Sequence, residues 1–146
     1  VPVLVTPLTR RQFNDGKLKD DLEPWAQATR QVAAELDVPL VDLYARSRAL
    51  VQGMGPVLAM RTAQRAPAPE QITAAQAGTT IGMPAPGAPA TTLTTAQANA
   101  SFEPMGQAKL AFDYTHLGPE GADLFSAIVA DELSRAVPAL RRQLIL

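Results

Sequence analysis

The pattern that most constrains the fold is a strand, a helix and a second strand within the first 43 residues. Two short runs rich in β-branched residues, Val1–Val5 and Val38–Leu43, flank a stretch whose apolar residues recur at helical spacing. Two strands joined by a helix form a crossover unit, which pairs them in parallel with a right-handed connection. We therefore predict an α/β fold with buried parallel strands. A length of 146 residues suits one domain.

The first helix is predicted from one apolar stripe. Asp20 or Asp21 is the expected N-cap, and Pro24 is tolerated in the first turn. The stripe predicts that Trp25 packs in the core and does not form a platform for stacking on a sugar. Its members are Leu22, Trp25, Ala28, Val32, Ala33 and Leu36.

The remaining elements are predicted from turn signals and helix breakers. Leu8–Asp20 should be a polar loop with a turn at Asn14–Gly16. Tyr44–Gln52 should be a second helix that the following glycines end. The last helix should begin at Pro119 and end before Pro138.

A segment rich in Ala, Thr and Pro lies between residues 63 and 100, where only Arg65 and Glu70 are charged. A short helix is possible at Pro69–Ala77. We interpret the rest as a low-complexity surface insertion, and a lid or an oligomer arm is the alternative.

Composition excludes several classes of function. A net charge of −1 does not suggest a nucleic-acid surface. The absence of cysteine excludes disulfides and thiol catalysis, and a single histidine cannot build a multi-histidine metal site. No apolar run approaches the roughly 20 residues of a membrane helix.

The loop before the last helix holds the candidate chemistry, in Asp113-Tyr114-Thr115-His116. A carboxylate three residues before an imidazole can accept a hydrogen bond from Nδ1–H, which fixes the tautomer and leaves Nε2 free to act as a base. This is the Asp–His half of a nucleophilic triad. The alternative is a histidine that caps or packs at a helix entry.

Arg10 and Arg11 lie just past the carboxyl end of the first strand, where open α/β sheets place their ligands. They are candidate substrate-binding residues, because arginine pairs with the carboxylates of acidic sugars in bidentate fashion. The alternative is a solvated loop with ion pairs to Asp15 or Asp20.

Three stretches carry a resemblance to a known family. Val3–Phe13 is a strand with a Thr-Pro-x-x-Arg-Arg loop, Val38–Leu43 is a second strand, and Asp113–Ala122 is a D-x-x-H motif that leads into a helix. In this order they resemble the SGNH (GDSL-type) esterase superfamily, within its rhamnogalacturonan acetylesterase-like branch. The resemblance implies a three-layer sandwich with a parallel sheet, of which this chain is the C-terminal half. It also implies a catalytic base, His116, and its orienting acid, Asp113.

The same resemblance implies an esterase that deacetylates a plant-wall polysaccharide without a cofactor, and family habit implies secretion or a periplasmic location. The nucleophile of the family lies in a Gly-Asp-Ser block that this chain lacks. We do not expect any of its serines to be the nucleophile; they are Ser47, Ser101, Ser126 and Ser134. Because the chain opens inside a predicted strand, we expect an N-terminal half to complement it, or an oligomer to form. The alternative function is a non-catalytic module that acts in binding or assembly.

Overall fold

The computed structural model describes residues 2–80 and 112–144. Within those ranges, no helix is both long enough and apolar enough to cross a membrane. Two short 3₁₀ turns, Met60–Thr62 and Pro138–Leu140, follow the second and the last helix. The strands and helices are β1 (Leu4–Val5), β2 (Phe13–Asn14), β3 (Lys17–Leu18), α1 (Glu23–Glu35), β4 (Leu40–Val41), α2 (Leu43–Ala59), α3 (Pro69–Gln76) and α4 (Pro119–Ala136).

Strands β1 and β4 form the predicted parallel pair, with α1 as the crossover between them. Leu4 is paired with Leu40 and Val5 with Val41. The ladder extends on both sides, since the Leu4 amide donates to the Pro39 carbonyl at 3.0 Å and the Thr6 amide to the Val41 carbonyl at 3.1 Å. The chain is therefore a mixed α/β structure with a small parallel sheet. The expectation that the first strand is buried is wrong at Val5, which is 47% exposed.

Helix α1 presents its large apolar residues to the surface, contrary to the predicted stripe. The residues it buries are Ala26 and Ala33, while Trp25 is 67% exposed. The prediction of Trp25 as a core residue is thus wrong, because the helix packs against the sheet through its small alanine side. The expected caps are also wrong. Leu22 is the N-cap, and Asp20 and Asp21 accept hydrogen bonds from other side chains instead.

A β-hairpin replaces most of the predicted polar loop. Its turn lies at Asp15 and Gly16, both of which have positive φ (50° and 72°), as the turn signal indicated. The hairpin itself is antiparallel, with Phe13 opposite Leu18. Both side chains are buried in the core, where they pack with residues of α2 and α4.

The core lies between the hairpin, α2 and α4. Helix α2 continues past the predicted stop at Gly53 and is kinked at Gly55, where φ is 72° and Pro56 follows. Helix α4 begins at Pro119, as predicted. The buried cluster consists of Phe13, Leu18, Val51, Ala59 and Phe125.

The structure describes only the first part of the predicted insertion. The short helix expected at Pro69–Ala77 is present as α3, and Ala75 is buried. Thr80 is also buried and donates its hydroxyl to the Phe13 carbonyl at 3.3 Å. This first part is therefore packed on the body of the fold, and the remainder of the segment lies outside the described residues.

Candidate active site

The loop that carries Asp113 and His116 lies between two segments of the body. The Arg11 amide, six residues beyond β1, donates to the Tyr114 carbonyl at 2.9 Å. On the other side, the Gln64 amide donates to the His116 carbonyl at 3.3 Å, and Ala63 forms an isolated antiparallel bridge with Leu117. These contacts join the loop to the segment that follows β1 and to the segment that follows α2.

Two glycines allow the loop to approach the end of α2 closely. The Gly118 amide donates to the Thr62 carbonyl at 3.0 Å. A Cβ atom at Gly118 would lie 2.5 Å from the Ala63 carbonyl oxygen, and one at Gly121 would overlap the Thr62 carbonyl oxygen. Any side chain at either position would therefore push the loop and the start of α4 away from the body.

Asp113 and His116 are in direct contact. Asp113 Oδ2 lies 2.8 Å from His116 Nδ1. The other carboxylate oxygen, Oδ1, accepts hydrogen bonds from the backbone amides of Thr115 and His116, both at 2.6 Å. The contact expected from the three-residue spacing is thus present, and the two amides fix the plane of the carboxylate that makes it.

The surroundings of Asp113 favour its ionised form. Partial burial raises the pKa of Asp113. Hydrogen bonds from the amides of His116 and Thr115 and from the imidazole lower it, and together they outweigh the effect of burial, so the pKa lies below its ordinary value. An ionised carboxylate can only accept a hydrogen bond. The neutral imidazole must therefore carry its proton on Nδ1, which leaves the lone pair on Nε2.

The Nε2 atom is accessible. The His116 side chain is 71% exposed, whereas that of Asp113 is 39% exposed. No hydrogen bond from the described residues engages Nε2. The pair therefore presents an oriented, proton-accepting nitrogen to solvent, which is the arrangement of a general base.

Arg11 occupies a position that sequence reasoning did not anticipate. It is 2% exposed, and its guanidinium donates to the carbonyls of Asp113 (3.3 Å), Thr115 (3.3 Å) and His116 (2.8 Å). Burial lowers the pKa of Arg11, and the charge of Asp113 offsets part of that effect. The buried guanidinium argues against the predicted contact with substrate. Nothing in the local sequence distinguishes this arginine from an exposed one.

No hydrogen bond or ion pair joins the Arg10 guanidinium to the loop in the described part of the chain. The guanidinium forms an ion pair with Asp21 at 2.7 Å, and both side chains are substantially exposed. The expected alternative was an ion pair to Asp15 or Asp20, and the partner is instead the neighbouring Asp21. The structure therefore does not bring Arg10 together with Asp113 and His116.

The described serines are all engaged within their own helices. Ser47 donates to the Tyr44 carbonyl at 3.3 Å, Ser126 to that of Asp123 at 3.0 Å, and Ser134 to that of Asp131 at 2.7 Å. None of these three hydroxyls contacts His116. Ser101 lies outside the described residues. The described part of the chain thus holds Asp113 and His116 together without a serine beside them.

Comparison with known proteins gives a partial similarity. A stretch of 56 residues, 38% of this chain, is 39% identical to a protein named rhamnogalacturonan acetylesterase RhgT from Bacillus subtilis (strain 168). That stretch spans 24% of the length of the relative, about a quarter. No family model matches the chain. No solved structure matches it either.

Proposed function

We propose that this chain supplies the base and the orienting acid of an ester hydrolase of the SGNH type. The observation that carries the proposal is the Asp113–His116 pair, with Oδ2 and Nδ1 2.8 Å apart and Nε2 open to solvent. The partial similarity to a protein named as an acetylesterase supports the same class of reaction. The serine and the oxyanion donors come from outside the described residues.

In the proposed mechanism, His116 Nε2 accepts the proton of the nucleophilic serine hydroxyl as the serine oxygen attacks the ester carbonyl. The imidazolium then gives that proton to the departing alcohol, which leaves an acyl-serine. A water molecule next loses a proton to Nε2 and attacks the acyl carbon, and the proton returns to the serine as the carboxylic acid leaves. Asp113 holds the ring and stabilises the imidazolium in both halves of the cycle.

The proposed substrate is an acetyl ester on a plant-wall polysaccharide. This assignment relies on the name of the partial relative and on the resemblance of the three sequence blocks. The residues of the described site do not select an acyl group, because a base and its acid serve any ester.

We also propose that the parallel sheet continues beyond β1 into a three-layer sandwich. Amides alternate in direction along a strand, and those of Leu4 and Thr6 point towards β4, so the Val5 amide faces the opposite edge. An apolar groove lies beside that edge and is uncovered in the described part of the chain; its lining includes Leu4, Pro7, Trp25, Ala28 and Val32. A further strand would pair with the free edge of β1, and a further helix would cover the groove. A serine at the end of that strand would lie at the same end of the sheet as His116.

The same exposed groove supports the alternative function, a non-catalytic binding module. In that case the apolar surface around Trp25 would bind a partner, and the loop of His116 would be a helix entry only. The two functions differ in whether a nucleophilic serine acts together with His116.

To test the proposal, the 146 residues are combined with the polypeptide that supplies the serine, either fused in one chain or mixed as two chains. We call this assembly the complemented enzyme. Release of acetate from acetylated rhamnogalacturonan and from p-nitrophenyl acetate is expected, and the His116→Ala variant should abolish it. A folded assembly that hydrolyses neither ester, or one that is as active without His116, would contradict the proposed function.

A further inference from the structure

The largest fully buried side chain in the described ranges belongs to a cation, Arg11. A buried charge is costly to desolvate unless it is paired. No carboxylate of the described residues hydrogen-bonds this guanidinium; its partners are backbone carbonyls, and its Nε has no partner at all. Neutral carbonyls compensate a buried cation less than a carboxylate would, so stability alone is a poor explanation for an arginine here.

The partners of Arg11 form a continuous set. The guanidinium binds the carbonyls of Asp113, Thr115 and His116, and the Arg11 amide binds that of Tyr114 at 2.9 Å. One residue thus engages all four carbonyls of the turn that runs from Asp113 to His116. On the inner side of the same turn, the amides of Thr115 and His116 converge on Asp113 Oδ1.

We propose that Arg11 is a positioning residue, which fixes the turn so that Asp113 meets Nδ1 and Nε2 faces the incoming substrate. Its catalytic consequence depends on the proposed function, whereas its effect on the imidazole does not. The carbonyls and the amides of a peptide unit move together, so a shift on the Arg11 side displaces the amides that orient the Asp113 carboxylate.

The planar fork of arginine is required for this role. Two terminal nitrogens of one rigid group reach three carbonyls at 2.8–3.3 Å. The single ammonium of lysine is a point donor and cannot span the turn. A displacement of about 1 Å in a catalytic group costs on the order of 10²-fold in rate.

The variants that test the proposal are Arg11→Lys and Arg11→Met. Arg48→Lys is the matched control, because Arg48 also makes a two-nitrogen contact, at 2.9 and 3.3 Å, but with Asp20 and away from the loop. The first readout is the ¹⁵N shifts of the imidazole in the labelled 146-residue chain, at a pH where the ring is neutral. Because the chain has one histidine, both ring signals belong to His116, and their couplings to the ring carbon protons distinguish Nδ1 from Nε2. The second readout is kcat and KM of the complemented enzyme.

The parent and Arg48→Lys are expected to show the Nδ1–H tautomer predominantly, and Arg11→Lys and Arg11→Met a mixture of the two. In the complemented enzyme, Arg11→Lys should lower kcat on the order of 10- to 100-fold with KM within about twofold of the parent. The tautomer ratio decides the role of Arg11 even if the complemented enzyme hydrolyses no ester. The absence of ester hydrolysis would reject the proposed function but not the role of Arg11.

Two outcomes would overturn the proposal. An Arg11→Lys chain with a lower melting temperature but with the tautomer ratio and kcat of the parent would make Arg11 a stabilising residue only. A raised KM with an unchanged tautomer ratio would place Arg11 in contact with substrate. If neither variant folds, the Nη protons of the unmodified chain decide. They should exchange more slowly with solvent for Arg11 than for Arg48, and equal exchange rates would reject the proposed hold of Arg11 on the turn.

Discussion

Replacing Asp113 with asparagine changes one atom of the candidate pair. In the parent, Oδ1 accepts from two amides, which fixes Oδ2 against Nδ1 of His116. The same two amides will hold the asparagine oxygen, so its NH₂ group takes the place of Oδ2. A donor in that position requires the lone pair of Nδ1. The imidazole must then carry its proton on Nε2, where it cannot accept one from a serine.

The expected effect is large on rate and small on stability. The corresponding swap in the serine-protease triad lowers kcat by about 10⁴-fold. Asp113 is 39% exposed, so water screens its charge more than in a buried triad, and we expect a loss on the order of 10²- to 10⁴-fold. The two amide hydrogen bonds remain, but they are weaker because their acceptor is now neutral. The free energy of unfolding should therefore fall by about 1 kcal/mol.

The assay measures kcat of the complemented enzyme together with the melting temperature of each variant. Asp123→Asn is the matched control, because Asp123 is exposed on the first turns of α4 and its side chain lies outside the pair. It should keep the parental kcat. A kcat for Asp113→Asn equal to that of this control, with a lowered melting temperature, would refute the reasoning and make Asp113 a capping residue of the loop.

The remaining predictions concern stability, pH and assembly. Gly121→Ala should lower the free energy of unfolding by about 1–3 kcal/mol, because its methyl group would overlap the Thr62 carbonyl; Gly53→Ala, in open space within α2, should raise it by about 0.5–1 kcal/mol, and urea titrations compare them. Because the pKa of Asp113 is depressed in the fold, its stabilisation is present above the ordinary carboxylate pKa of about 4 and declines as pH falls through the folded value. The difference in melting temperature between the parent and Asp113→Asn should therefore shrink in acid, and a pH-independent difference would contradict this. Trp25→Ser should change the free energy of unfolding of the 146-residue chain by less than about 0.5 kcal/mol, since Trp25 is 67% exposed, yet weaken its binding to the serine-bearing polypeptide in titration calorimetry. The 146-residue chain alone should not be labelled stoichiometrically by a fluorophosphonate, and mass spectrometry of the treated chain checks this.

The parallel pair and the start of α4 could be predicted because local signals and tertiary structure agree there. The β-branched runs around a helical stretch indicate a crossover, and a proline before acidic residues indicates a helix start at Pro119. The orientation of α1 could not be predicted. An apolar stripe shows which residues avoid water but not which surface covers them, and the large residues around Trp25 face a groove that the described residues leave open.

The contact between Asp113 and His116 could be predicted because it is local, spanning three residues of one turn. The role of Arg11 could not, because its partners lie more than 100 positions away, and no periodicity or spacing relates such distant residues. The hairpin was missed for a related reason. Phe13 stands among polar neighbours, and its burial depends on α2 and α4, which approach it from elsewhere in the chain.

The most direct test of the central claim is the rate at which a fluorophosphonate labels the serine of the complemented enzyme. Labelling requires a serine that an adjacent base has activated, so it reports on the proposed partnership without dependence on the natural substrate. If His116 is that base, the second-order rate constant for labelling should fall at least about 10²-fold in His116→Ala, on the scale of general-base catalysis. A serine that is labelled at the parental rate in the folded His116→Ala assembly would contradict the account.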